Sequence, residues 1–113
     1  MLRISRRNKF NARRTTLDGV KFDSQGEARR WAELQLLERA GEITSLQRQV
    51  PFALNVAGGG TVGKIVIDFC YFDKRTNQKV VEDFKGHPTP LALWKIKHFR
   101  LQYGIDIVIT RSK

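Results

Sequence analysis

Residues 62–72 constrain the fold most, because they give the strongest strand signal in the chain. Their side chains alternate along the segment in the way that is typical of a strand inside a sheet. The two predicted faces are Ile65, Ile67, Phe69 and Tyr71 on one side, and Val66, Asp68 and Cys70 on the other. Because an ionised carboxylate is costly to bury unless it is paired or binds a cation, Asp68 needs a specific role.

Turn and capping signals predict a helix before this strand. The Asp-Gly pair within residues 17–20 favours a turn. Ser24 is a favourable N-cap, and Glu27 completes a capping box with it. The helix is predicted to run to about Ala40 and to end at Gly41. Its apolar arc consists of Ala28, Trp31, Ala32, Leu34 and Leu37. Glu27 lies near the middle of that arc, which is an unusual place for an acid.

Three further segments are predicted to be strands. Residues 45–55 contain Pro51, which restricts them to an edge or a bulged strand. Residues 79–84 follow a polar turn, and residues 105–110 are almost wholly apolar, so we expect the last strand to be buried on both faces. The resulting order is α-β-β-β-α-β, which predicts an α/β fold with a mixed central sheet flanked by helices.

A second helix is predicted between the last two strands. Thr89 can cap it, Pro90 suits its first position, and it should end near Tyr103, before Gly104. Its predicted apolar anchors are Leu93, Trp94, Ile96 and Leu101, and its cations include Lys95, Lys97 and Arg100. These cations either contact phosphates or form an ordinary solvated face. We expect Trp31 and Trp94 to be core residues rather than base-stacking platforms.

Composition favours one domain with a polyanionic partner. The chain has 113 residues and a formal net charge of +10, from 21 Lys and Arg against 11 Asp and Glu. Residues 1–16 carry six of these cations and no acid, which predicts a flexible arm that orders on nucleic acid, or else a solvated tail. The six cations are Arg3, Arg6, Arg7, Lys9, Arg13 and Arg14. Residues 17–113 are expected to form the single folded domain.

Cysteine and hydropathy patterns bear on the cellular compartment. Cys70 is the only cysteine, which excludes an intrachain disulfide and is typical of a reducing environment. No apolar run approaches the length of a membrane span, and the first residues lead into charge rather than a signal sequence. We therefore expect an intracellular protein that is not membrane-bound. With His87 and His98 as the only histidines, no Cys/His zinc site is indicated.

Two acids and a lysine form the candidate chemical centre. Asp68 lies in its apolar strand, and Asp83 lies near the end of the next strand. Two converging carboxylates would repel each other in a low-dielectric site, and a hard cation such as Mg²⁺ or Mn²⁺ would relieve that repulsion. Lys85 shares a predicted face with Asp83 and would orient water or stabilise developing phosphate charge. The alternative for Asp68 is a buried ion pair with Lys or Arg. Glu27 would point to the same place, although its capping role alone also explains it.

Several short motifs together resemble the PD-(D/E)XK nuclease superfamily. They are Phe22-Asp23-Ser24-Gln25-Gly26-Glu27, Leu37-Glu38-Arg39-Ala40-Gly41-Glu42-Ile43, Ile67-Asp68-Phe69 and Val81-Glu82-Asp83-Phe84-Lys85-Gly86. The element order is similar to the αβββαβ core of restriction-endonuclease-like folds. Within the superfamily, the chain most resembles small phage-encoded endonucleases, and its layout is similar to that of Holliday-junction resolvases and a transposase endonuclease subunit. The resemblance covers roughly residues 17–110.

This resemblance implies a role for each motif residue. Asp68 would be the central metal ligand, Asp83 the second acid, and the Phe84 carbonyl a further ligand of Mg²⁺ or Mn²⁺. Lys85 would be the catalytic lysine, and Glu27 would act directly or through water. Ile67 replaces the usual proline, and Asp83 replaces the more usual glutamate. Glu82 is adjacent and is the alternative second acid, but strand alternation favours Asp83.

The sequence therefore predicts a metal-dependent endonuclease that hydrolyses phosphodiester bonds in DNA. Branched DNA or Holliday junctions in phage recombination are the substrates that the resemblance suggests, and such a resolvase would be a homodimer, in the bacterial host cytoplasm if phage-encoded. Two alternatives stay open. One is a catalytically silent nucleic-acid-binding module, and the other is the cutting subunit of a larger complex.

Overall fold

A computed structural model describes residues 15–17, 19–85 and 88–111. A short hairpin of β1 (Thr15–Leu17) and β2 (Val20–Phe22) precedes the helix α1 (Gln25–Arg39). The remaining elements are β3 (Ile43–Asn55), β4 (Thr61–Asp73), β5 (Gln78–Phe84), α2 (Pro90–Tyr103) and β6 (Ile107–Thr110). The six cations of the predicted arm lie outside the described residues. Thr15 and Thr16, which lie within the predicted arm of residues 1–16, form part of β1.

Four strands form a mixed sheet in the order β3-β4-β5-β6. The first three make an antiparallel meander, and α2 then crosses over so that β6 runs parallel to β5. The predicted fold class is confirmed: this is an α/β protein with a mixed sheet flanked by helices. β3 is an edge strand, as Pro51 indicated. The first hairpin was predicted only as a turn, because β1 and β2 are too short to show a pattern.

Local capping signals fix both helices. The Ser24 Oγ accepts a hydrogen bond from the main-chain N–H of Glu27 at 3.1 Å, and the Thr89 Oγ1 accepts one from Ala92 at 3.1 Å. Gly104 ends α2 with a φ of 71°, in the left-handed region that glycine adopts without strain. These caps confirm the predicted helix boundaries to within a residue, because a cap depends only on neighbouring residues.

The sheet has one hydrophobic core on each face. On the α1 face, Leu34 packs with Ile43, Phe69 and Tyr71. On the α2 face, the buried cluster consists of Leu54, Ile65, Ile67, Cys70, Val81 and Phe99. Each helix therefore covers its own side of the sheet, and residues at the ends of the strands lie between the two cores.

The predicted alternation along β4 is wrong at one point. Ile65 and Ile67 pack on the α2 face, whereas Phe69 and Tyr71 pack on the α1 face, so the strand changes face at Asp68. The opposing position in β3 is Gln49, whose φ of 55° is unusual for a residue with a side chain. The regular pairing of β3 with β4 skips this position and resumes on both sides of it. A long-range distortion of two paired strands is invisible to the period of either strand alone.

The predicted anchors of α2 are also largely wrong. Leu93, Trp94 and Leu101 are exposed, with 75% of the Trp94 surface accessible to solvent. The helix instead buries Phe99, with Ile96 against the same core. Three aromatic rings, those of Phe52, Phe99 and Tyr103, contact one another beneath it.

Trp31 packs in the core as predicted, whereas β6 is less buried than predicted. Trp31 is half-buried and stacks on Phe69 with ring centroids 6.0 Å apart, as a core residue should. β6 was expected to be buried on both faces, but Val108 is 49% exposed. β6 is an edge strand, and α1 packs towards β3 at the other edge, which leaves the Val108 side uncovered.

The start of α1 lies unusually close to the end of β5. A Cβ atom added to Gly26 would lie 2.3 Å from the Cζ atom of the Phe84 ring, which is far inside van der Waals contact. The absence of a side chain at Gly26 therefore lets the helix start approach the strand end. This contact positions Glu27, the next residue, beside the ends of β4 and β5.

We predict that Gly26→Ala destabilises the protein by about 1–3 kcal/mol, because the new methyl group displaces the Phe84 ring. Glycine to alanine in a helix is otherwise stabilising. Urea denaturation of Gly26→Ala, Phe84→Leu and the double variant measures the effect, which should be smaller when the ring is absent. Gly63→Ala is the control, because nothing lies within 4 Å of a Cβ at Gly63. An equally stable Gly26→Ala variant would contradict the close approach.

Candidate active site

The strands β4 and β5 part where the two candidate acids lie. Regular pairing between them ends at Phe69 and Glu82. Beyond that pair, the Asp68 main-chain N–H donates to the Asp83 Oδ1 at 3.0 Å, and the Phe84 main-chain N–H donates to the Asp68 Oδ2 at 2.8 Å. Side-chain carboxylates thus take the place of carbonyl acceptors between the strands. The sequence prediction that Asp68 and Asp83 converge agrees with this geometry.

A residue of β3 supports the first carboxylate. The Gln49 Nε2 donates to the Asp68 Oδ1 at 3.1 Å, so both oxygens of Asp68 accept hydrogen bonds. The positive φ of Gln49 coincides with the point at which β3 and β4 change face. Sequence reasoning missed Gln49, and nothing in its local pattern distinguishes it from other polar residues of an edge strand.

The second carboxylate is buried and faces a lysine. Asp83 is only 1% exposed, and its Oδ2 accepts no hydrogen bond from the described residues. The Lys85 Nζ lies 2.9 Å from that oxygen, and the Lys85 side chain is 28% exposed. The main-chain N–H of Lys85 is fixed by the Thr110 carbonyl at 2.9 Å. Lys85 is therefore placed between the buried carboxylate and solvent, as the shared face predicted.

Glu27 brings a third carboxylate to the same region. Glu27 is 6% exposed, although it lies in the first turn of α1. Burial and the nearby Asp23 carboxylate raise the pKa of Glu27 to about 7, against the opposing effect of Arg48. The Arg48 Nη2 lies 3.9 Å from the Glu27 Oε2. The Ser24 half of the capping box is present, through the Glu27 main-chain N–H, while the Glu27 carboxylate lies near the other acids, so the capping role and the approach to the acids are compatible.

Burial, followed by repulsion between carboxylates, dominates the electrostatics of this centre. Burial, followed by the Asp83 carboxylate, raises the pKa of Asp68 to about 8, and the Glu27 carboxylate adds to the effect. The hydrogen bond from the Phe84 main chain opposes the rise but does not cancel it. Three carboxylates share this region with one lysine and one distant arginine, so a further positive charge would stabilise the ionised forms.

Glu82 belongs to a separate, fully satisfied network. It is completely buried, and the Arg30 guanidinium donates to both of its oxygens, at 2.6 and 3.0 Å. Tyr71 Oη and Thr110 Oγ1 also donate to it, at 2.7 and 2.9 Å. Burial raises the pKa of Glu82, but these hydrogen bonds outweigh burial and hold that pKa below its usual range. With its oxygens occupied in this way, Glu82 ties α1, β4 and β6 to β5.

We predict that Glu82→Gln lowers the free energy of unfolding by about 1.5–3 kcal/mol at neutral pH, because hydrogen bonds to a buried charge are lost. Since the folded-state pKa of Glu82 is lowered, its stabilisation is present above the ordinary glutamate range and is lost as the pH falls. The difference between wild type and variant should therefore narrow in acid.

Urea denaturation at several pH values measures this difference. The matched control is Glu33→Gln, because Glu33 is the exposed partner of the same arginine, at 3.0 Å from Arg30 Nη1. An exposed pair contributes less than about 1 kcal/mol. Equal losses in the two variants would show that Glu82 is not the main anchor.

The three cations of α2 that are predicted to contact nucleic acid lie in different places relative to the candidate centre. Lys95 lines a cleft together with Lys85, beside the acids. Lys97 is exposed and lines none of the clefts described here, and Arg100 lies 4.0 Å from the Asp106 carboxylate. Only Lys95 of the three is thus placed beside the candidate centre.

The donor set suits a hard divalent cation. Within the described part of the chain, no three Asp, Glu, His or Cys side chains are close enough to form a metal site as they stand. Asp68 and Asp83 nevertheless supply two carboxylates at one point, and the buried Asp83 Oδ2 has the Lys85 ammonium, at 2.9 Å, as its close partner among the described residues. Oxygen donors of this kind suit Mg²⁺ or Mn²⁺.

Comparison with known proteins identifies a family. A family model matches residues 7–112, and the chain belongs to that family, which is described as a protein of unknown function (DUF1064). No curated protein and no solved structure matches the chain. Of the helices in the described residues, neither is long and apolar enough to cross a membrane.

Proposed function

We propose that this protein is a metal-dependent endonuclease that hydrolyses phosphodiester bonds in DNA. The observation that carries the proposal is the reciprocal hydrogen bonding that fixes Asp68 and Asp83 side by side, with the Lys85 Nζ 2.9 Å from Asp83. Glu27 is buried beside them without an ion pair closer than 3.9 Å. Two acids that can hold a cation, together with a lysine, are the parts that this hydrolysis needs.

The residues divide the chemical work among themselves. Asp68, Asp83 and the Phe84 carbonyl would hold Mg²⁺ or Mn²⁺, with Glu27 contributing directly or through water. Such an ion supplies a polarised phosphate and an activated water. Lys85 places its ammonium where it would orient the attacking water and stabilise negative charge on the phosphate oxygens. The Lys85 side chain is partly exposed, and its main-chain N–H is hydrogen bonded to β6. Lys85 would therefore reach a substrate without leaving the centre.

The charge balance supports a nucleic acid as the partner. The net charge is +10, and each cation that neutralises a phosphate favours binding through counterion release. The resemblance to PD-(D/E)XK nucleases supports DNA, and within DNA it favours branched structures, an intracellular site of action and a homodimer. The two alternatives are a silent binding module and the cutting subunit of a complex.

We predict that the purified chain cuts DNA only with Mg²⁺ or Mn²⁺, and that Asp68→Asn, Asp83→Asn and Lys85→Met each lower the rate by at least about 100-fold. The assay uses linear, single-stranded, nicked and branched DNA with added metal or EDTA. Matched controls are Asp106→Asn and Lys74→Met, which are exposed residues of the same types away from the centre.

The outcomes of this assay separate the candidate functions. Full activity in Asp68→Asn would contradict the proposed centre. A folded wild-type chain that cuts none of the substrates would contradict the endonuclease. Salt-dependent DNA binding without cutting would favour the silent binding module, and cutting that appears only with a host lysate would favour the subunit of a complex.

Metal binding should also be visible as stability. We predict that saturating Mn²⁺ stabilises the wild type by about 2.7 kcal/mol at 100 times the Kd. Asp68→Asn removes a ligand and relieves carboxylate repulsion, so this variant should be at least as stable as the wild type without metal and gain little from it. Thermal melting with Mn²⁺ or EDTA measures both effects, and equal gains in the two proteins would place the metal elsewhere.

A further inference from the structure

Two clefts flank the end of β5, one on each face of the sheet. The cleft on the α2 side has a volume of about 360 Å³ and contains the Lys85 side chain. The cleft on the α1 side has a volume of about 430 Å³ and contains the Phe84 side chain. Because Phe84 and Lys85 follow Asp83 directly and line opposite clefts, the end of β5 that carries Asp83 lies between the two clefts.

Both clefts are basic. The α2-side cleft is lined by Lys64 and Lys95 in addition to Lys85, and by no acid. The α1-side cleft is lined by Arg29, Arg30 and Arg111, against the single acid Glu33. Arg30 is already bound to Glu82 and Glu33, so Arg29 and Arg111 supply the uncompensated charge there.

These cations have no partner among the residues that the structure describes. Each of the ion pairs found there involves Arg30, Arg48, Arg75, Lys85 or Arg100. Lys64, Lys95, Arg29 and Arg111 form none, although eleven acids are present in the chain. Four unpaired cations beside a cluster of acids are arranged to meet an external anion.

The dipoles of the two helices add to the positive electrostatic potential of the two clefts. Gly26 in the first turn of α1 lines the α1-side cleft, and Thr89 and Ala92 at the start of α2 line the other. Both helices therefore begin at this end of the sheet and direct the positive ends of their dipoles towards it. Main-chain amides in the first turn of a helix also lack helical partners and suit phosphate oxygens.

We propose that these two clefts bind the backbone phosphates on either side of the bond that is cut. One DNA strand would cross the end of the sheet from the α1 face to the α2 face, over Asp83 and Lys85. Arg29 and Arg111 hold it on the first side, and Lys64 and Lys95 hold it on the second. This inference rests on the proposed endonuclease function, and it assigns the substrate grip to the folded domain in addition to the predicted arm.

Fluorescence anisotropy tests the inference in an Asp68→Asn background with EDTA, so that binding is read without cutting. The probe is a fluorescein-labelled DNA, single-stranded or duplex, titrated at several salt concentrations. The double variants Lys64→Gln/Lys95→Gln and Arg29→Gln/Arg111→Gln should each bind at least about tenfold more weakly. Each should also reduce the slope of log Kd against log salt by about 1.4–1.8, since two phosphate contacts are lost.

A matched double variant controls for the loss of charge. Lys74→Gln/Arg39→Gln removes one lysine and one arginine from exposed positions in the β4–β5 turn and at the end of α1, far from the clefts. It should leave the Kd and the salt slope close to those of the parent. Weakening equal to that of the cleft variants would overturn the proposal, because only overall charge would then matter. Failure of the parent to bind any DNA would overturn it as well.

Cleavage kinetics distinguish this inference from the proposed function. Cleavage is measured in chains that keep Asp68. There the cleft variants should raise KM and retain kcat, since the reacting groups are intact. A wild type that binds DNA through the clefts but never cuts would support the phosphate-binding clefts and contradict the proposed endonuclease activity. A wild type that cuts, with cleft variants of unchanged KM, would overturn the grip alone.

Discussion

The reciprocal hydrogen bonds between β4 and β5 determine the character of the whole centre. Asp68 donates its main-chain N–H to the Asp83 carboxylate, and its own carboxylate accepts from Phe84. Each bond joins a main-chain donor of one strand to a side-chain acceptor of the other, so the strands stay joined although their ladder has ended. The same bonds hold the two carboxylates close together in a largely buried position. A chain folded for stability alone would place apolar residues there, and the cation that we propose would relieve the repulsion between the two carboxylates.

The last three residues of β5, together with Lys85 that follows them, combine packing with the candidate chemistry. Glu82 and Phe84 face α1, where Arg30 neutralises the first and Gly26 makes room for the second. Asp83 and Lys85 alternate with them and face the centre. Two buried acids thus lie next to each other in sequence with opposite environments. Hydrogen bonds hold the pKa of Glu82 below its usual range, while the pKa of Asp68, across from Asp83, is raised by burial and repulsion.

Much of the fold follows from local sequence signals. Ser24 and Gly41 bound α1, Thr89 and Gly104 bound α2, and period-two patterns locate β3, β4 and β5 to within two residues. These features depend on neighbours along the chain, which a sequence displays directly. The choice of Asp83 over Glu82 also came from alternation, and the structure places the two residues on opposite sides of β5 as expected.

The remaining features arise from contacts between distant segments. The change of face at Asp68 needs the distorted backbone of Gln49, and the role of Glu82 needs Arg30 from another element. Trp94 looks like a core residue in a one-dimensional pattern, yet Phe99 occupies the buried side of α2. The sequence does not indicate that Lys64, Arg29 and Arg111 line clefts beside the candidate centre. They do so because the fold brings the starts of both helices to one end of the sheet.

We propose that Asp68 and Asp83 are held together in order to bind a divalent cation. Anomalous X-ray scattering from a crystal of this chain soaked in Mn²⁺ tests that claim most directly. We expect an anomalous peak within coordination distance of the Asp68 and Asp83 carboxylates, with Lys85 moved away from Asp83 Oδ2. A peak elsewhere, or none at saturating Mn²⁺, would contradict it.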